Sequence, residues 1–79
     1  MQKITLQFPV EIGGAKITEL AMRRSKVKDR LAVSKMQGTD ADKEIRLFAN
    51  LCEVEPSVIE ELDELDYKKL QEVFTSFLG

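Results

Sequence analysis

ITLQFPVEIGGAKITELAM, residues 4–22, alternates apolar and polar side chains, and its reading sets the fold class. Ile4, Leu6, Phe8, Val10 and Ile12 share one parity, the two-residue repeat of a strand with one buried face. Gly13-Gly14 interrupts the repeat, and a second extended stretch follows. Glycines tolerate the positive φ that a two-residue hairpin turn demands, so residues 3–24 are predicted to form a β-hairpin. Perfect pairing outward from that turn fails. With Ile12 opposite Ala15, Phe8 faces Glu19 and Leu6 faces Ala21, which turns Leu20 and Met22 away from the apolar face. One extra residue, a bulge near Pro9 or near Thr18-Glu19, returns Leu20 and Met22 to the Leu6/Phe8 face, and proline, which cannot donate to a ladder, suits such a place. A looser hairpin with no defined bulge is the alternative.

Beyond the hairpin the apolar period lengthens to that of helices. Ser25 is placed to cap a first helix over 26–36 with Val27, Leu31 and Met36 on its apolar side. Gly38 ends it. Thr39 caps a second helix over 40–53, with Asp42 three residues on in a variant of the capping box. Ala41, Ile45, Phe48, Ala49 and Cys52 form one stripe there, and Leu47 and Leu51 widen it, so this helix is expected to be the most buried. Pro56 suits a first helical position, which makes Glu55 the cap of a third helix over 56–62 and pairs Val54 with Ile59 as a hydrophobic staple. The same spacing recurs if Asp66 caps a fourth helix over 66–78, with Leu65 stapled to Leu70 and Tyr67, Leu70, Phe74 and Phe77 on its apolar face. The chain therefore reads as a single small α+β domain, an N-terminal β-hairpin packed against three or four short helices.

At 79 residues, 43% hydrophobic and 33% charged, such a chain sits near the lower size at which one apolar core suffices. It has one cysteine and no histidine, which excludes an internal disulfide and the common zinc ligand sets. Cys52 falls on the buried stripe, where a small hydrophobe is expected rather than a reactive thiol. The first residues, MQKITLQFPV, lack the long apolar core of a signal peptide, and no apolar run approaches the ~20 residues that span a bilayer. A cytoplasmic protein with no membrane partner is expected.

Charge is unevenly placed. Residues 16–36 hold seven bases against two acids, a net of +5, and residues 40–66 hold ten acids against two bases, a net of −8. Asp66 aside, the acids Glu60, Glu61, Asp63 and Glu64 exceed what helix caps require. They lack the cleft and opposed placement that acid–base or glycosidase chemistry needs, and the oxygen spacing and central glycine of a calcium loop. A solvated face, pairing with the basic segment, or a partner surface remain. Arg23, Arg24, Lys26 and Lys28 crowd the start of the first helix, where the macrodipole disfavours cations. Binding to nucleic acid through residues 23–30 is one reading, weakened by the absence of interleaved aromatics and by a pI near 5.1. Compensation by the acidic segment, or an anionic protein partner, are the others. No cofactor, metal or small-molecule substrate is indicated.

Taken in order, ITLQFPV, the glycine turn, LAMRRSKVKDRLA, GTDADKEIRLFANLCEV and PSVIEELDELDYKKLQEVF resemble the tail assembly chaperones of Mu-like and related contractile-tailed phages and prophages. The matching features are the Phe8-Pro9 pair, a strand ending in Arg23, a middle helix of small and apolar residues, and the pattern formed by Leu62, Asp63, Asp66, Tyr67 and Leu70. The resemblance implies a non-enzymatic protein that coats the tape measure protein, keeps it soluble and helps recruit tail tube subunits. It would act in the host cytoplasm and be absent from the mature virion. Within that resemblance the two charged clusters are candidate surfaces for the tape measure protein or for neighbouring copies.

Overall fold

The computed structural model describes the whole chain, residues 1–79. Two strands, β1 (Gln2–Ile12) and β2 (Ala15–Met22), precede four helices, α1 (Val27–Ser34), α2 (Asp40–Cys52), α3 (Pro56–Glu60) and α4 (Glu64–Phe77). The expected α+β architecture is thus present. The strands pair antiparallel through the two-residue Gly13-Gly14 turn, both glycines at positive φ (57° and 82°). α4 lies against β1 and α2 against β2, while α1 and α3 each pack on α2.

The irregularity that parity demanded is larger than one residue. Thr5 pairs with Glu19 and the next pair is Val10 with Ile17, so Leu6, Gln7, Phe8 and Pro9 lie against Thr18 alone. Three extra residues switch the faces just as one would, because only an odd number does so. Ile4 now faces Leu20 directly, and Ile4, Leu6, Val10, Leu20 and Met22 are all buried. Phe8, expected on that face, is turned out and 48% exposed, since the wide bulge spends the alternation on its own backbone path.

The core lies between the hairpin and the helices. α2 supplies Phe48, Ala49, Leu51 and Cys52, more buried residues than any other helix, as its stripe foretold, although Ala41 is exposed. Phe48 stands between two rings of α4, 5.6 Å from the centroids of both Tyr67 and Phe74 in tilted contacts. α3 adds Val58 and Ile59, with half-buried Val54 packed beside them at the staple position.

Two helix starts differ from expectation. α1 is capped by Lys26, not Ser25, and ends at Ser34 rather than Met36. Its inward residues are Asp29 and Val33, so Val27 and Leu31, expected in the core, face solvent at 85% and 53% exposure. α4 begins one turn earlier than read, with Asp63 as the cap accepting from the Leu65 N–H at 2.9 Å. Asp66 is therefore not a cap, and Leu65 is exposed rather than stapled to Leu70. Thr39 does cap α2. Its hydroxyl accepts from the Asp42 N–H at 3.1 Å while the Asp42 carboxylate accepts from the Thr39 N–H at 2.9 Å. No helix is long and apolar enough to cross a membrane.

Candidate partner-binding surface

Two buried aspartates hold the frame on which the exposed charges are displayed. Asp66, fully buried in the first turn of α4, accepts from the Gln7 and Phe8 N–H groups at 2.9 and 3.0 Å. Those donors belong to the bulge, where β2 offers no partner. Lys69 completes the clasp, its Nζ lying 3.3 Å from Asp66 Oδ1 and donating to the Thr5 carbonyl at 3.2 Å. Burial pushes the Asp66 carboxyl toward its neutral form, but the two N–H donors and Lys69 together outweigh it and leave the pKa below the ordinary value.

The second aspartate, Asp29, receives both Nη atoms of Arg23 at 2.9 and 2.8 Å and the Lys26 N–H at 2.8 Å. The bidentate hydrogen bonds from Arg23 lead in lowering its pKa to about 2 against the opposing effect of burial, with the Lys26 N–H adding to them. Arg23 itself is raised, first by its bonds to Asp29, with Glu53 adding at longer range. Its backbone N–H also donates to the Leu51 carbonyl at 3.1 Å. Arg23, a candidate partner residue by sequence, is thus committed to joining β2, α1 and α2.

Its neighbour Arg24 is exposed and lies over the Phe77 ring at 5.3 Å, donating to the Phe77 carbonyl at 2.9 Å. This places the basic cluster at the C-terminal end of α4. Lys26 and Lys28 are exposed and make no ion pair. Glu60, Glu61 and Glu64 are equally exposed and unpaired, whereas Asp63 has its capping role. These acids sit at or just before the N-terminal end of α4, so ~20 Å of helix separates the two poles. The ion pairs within the molecule are Lys3–Glu19, Arg23–Asp29 and Lys69–Asp66, and none joins one pole to the other. Of the acidic stretch, Glu53 still acts on Arg23 at longer range.

The model of one protein family, described as phage tail assembly chaperone proteins E, or 41 or 14, matches residues 3–79. The chain belongs to the phage tail assembly chaperones. No match is found among curated proteins or among solved structures.

As a tail assembly chaperone the molecule separates its charges by task. Asp29, Asp66, Arg23 and Lys69 hold the fold together, Asp63 caps α4, Arg24 lies over Phe77, and Lys26, Lys28, Glu60, Glu61 and Glu64 are exposed without an ion pair. Sequence reading missed both buried aspartates as anchors. For Asp29 a signal was present, since a lone acid amid bases, three residues after Lys26, occupies the place of a capping-box acceptor. For Asp66 there was none, because its partners are backbone groups nearly 60 residues away. Cys52 is buried, and desolvation pushes its thiol up to about 11, as befits a core residue.

Proposed function

We propose that this chaperone binds the tape measure protein, keeps it soluble and assists assembly of the tail tube, acting in the host cytoplasm without catalysing a reaction and leaving before the virion is complete. Family membership supports the general role. The observation that supports the finer reading is the pair of exposed poles without an ion pair, Arg24, Lys26 and Lys28 on one side and Glu60, Glu61 and Glu64 on the other. Charged rims steer encounter and select partners, and they permit the modest affinity that lets a client be released.

Co-expression with the tape measure protein tests this reading. The double variant Lys26→Glu/Lys28→Glu should lose most of the co-purified tape measure protein. Its thermal melt should stay within ~0.5 kcal/mol of the parent, because both side chains are solvated. Retention of the parent's capture at 150 mM salt would overturn the role of this pole. Arg23 is unsuitable for such a test, since its loss would leave Asp29 buried and uncompensated.

A further inference from the structure

Three large apolar side chains are left outside by the fold, two on one face of α1 and one beside the start of that helix. Val27 and Leu31 lie one turn apart on the outer face of α1, at 85% and 53% exposure, and Leu78 just beyond α4 is 60% exposed. Val27 and Leu78 line one shallow pocket together with Ser25, Lys26 and Arg30. Single exposed leucines are ordinary on a protein surface, but a contiguous apolar group with a polar rim marks a contact surface. In so small a domain these residues would otherwise serve the core. They are held out because Arg23 draws Asp29, on the opposite side of α1, into the interior.

The rim has one sign. Between Arg24 and Lys35 the bases are Arg24, Lys26, Lys28, Arg30 and Lys35, all exposed. Asp29, the sole acid of that segment, is buried and neutralised by Arg23. A partner that covered the apolar group without carrying negative charge would leave several cations half-desolvated and unpaired, which costs binding energy. The group itself is a helix face with an i, i+4 ridge, suited to the groove of another helix.

We propose that this face, α1 together with Leu78, docks an acidic amphipathic helix of the client, one with apolar residues at i, i+3 or i+4 flanked by carboxylates. The inference rests on the client-binding role given above and assigns that role to one pole. The acidic pole of a second copy matches it poorly, because Leu62 there is buried and Leu65, at 45% exposure, is the one large apolar side chain offered.

The test uses the whole chain and two synthetic 18-residue helical peptides that share one leucine stripe, flanked by glutamates in one and by lysines in the other. Isothermal titration at 50 and 200 mM salt should show binding of the glutamate peptide, weakened at the higher salt, and none of the lysine peptide. The double variant Val27→Asp/Leu31→Asp, whose changes lie on exposed positions, should keep the parent's circular dichroism melt and lose at least tenfold in affinity. Equal binding of the two peptides would overturn the proposal, as would unchanged affinity of the variant. Concentration-dependent self-association of the parent in sedimentation, abolished in the variant, would assign the face to a second copy and overturn it too. Co-expression with the tape measure protein separates the two readings. Capture by the parent and equally by the variant sinks this proposal alone, whereas no capture by the parent sinks the client-binding role itself.

Discussion

Three helices of this molecule carry an aspartate at the third helical position, and the three side chains meet different ends. Asp42 bonds back to the Thr39 N–H, an exposed local cap. Asp29 does the same for Lys26 and adds the Arg23 guanidinium. Asp66 leaves its own helix end to Asp63 and instead satisfies two N–H groups of a strand. Hydrogen bonds to an ionised acceptor contribute ~1.5–3 kcal/mol each, and an abandoned buried donor costs ~1–3 kcal/mol. Asp66→Ala is therefore expected to destabilise by roughly 3–4 kcal/mol, a large part of the ~5–15 kcal/mol typical of a folded domain. Asp66→Asn, which keeps one acceptor oxygen, should fall between. Urea unfolding followed by circular dichroism measures both, and a loss below ~1 kcal/mol for the alanine variant would deny the clasp its importance.

At the scale of elements, the C-terminus of α2 holds a local cost. Glu53 adopts a left-handed conformation at φ 57°, the place where helices prefer glycine, while its N–H bonds to the carbonyls near the helix end. Glu53→Gly should raise stability by ~0.5–1 kcal/mol despite the greater freedom of glycine in the unfolded chain, and a lowered melting midpoint would contradict this. The hairpin and α2 were legible in the sequence because their signals are local: parity, a Gly-Gly turn, a capping box and one broad apolar stripe. The orientation of α1 was not. Val27 and Leu31 mark one apolar side and Val33 another, and the choice was made by the Arg23–Asp29 pair, which has no periodic signature. The start of α4 was equally open, since Asp63 and Asp66 stand one turn apart and either can cap. Asp63 takes the cap, which brings Asp66 into reach of the bulge. The charged clusters were readable as exposed groups, but only three-dimensional placement shows that no ion pair joins them and that Arg24 lies by the end of α4 opposite the acids.

For the molecule as a whole, acid is the condition that tests the frame. Asp29, Asp42 and Asp66 all have pKa values below that of a free carboxylate: Asp29 foremost through the Arg23 bonds, Asp42 through the Thr39 N–H, and Asp66 because its donors outweigh burial. A depressed folded pKa stabilises above the unfolded value of about 3.9, and that contribution fades as pH falls toward the folded one. Asp29 alone, lowered to about 2, supplies on the order of 2 kcal/mol at neutral pH. With no histidine in the chain, stability should be flat from about pH 5 to 8 and then fall between about pH 4 and 2. Asp29→Asn should start lower and decline less, so that its curve approaches that of the parent near pH 2. Parallel curves would refute the linkage. The clasp at Asp66 also bears on how the chain is made. Asp66 follows the strands by nearly 60 residues, so the bulge N–H groups of a nascent hairpin keep to water until the start of α4 has been made. A chain cut before residue 66 would keep the Gly13-Gly14 turn yet leave the Gln7 and Phe8 N–H groups without their acceptor, so the bulge is the part of the hairpin that waits for α4.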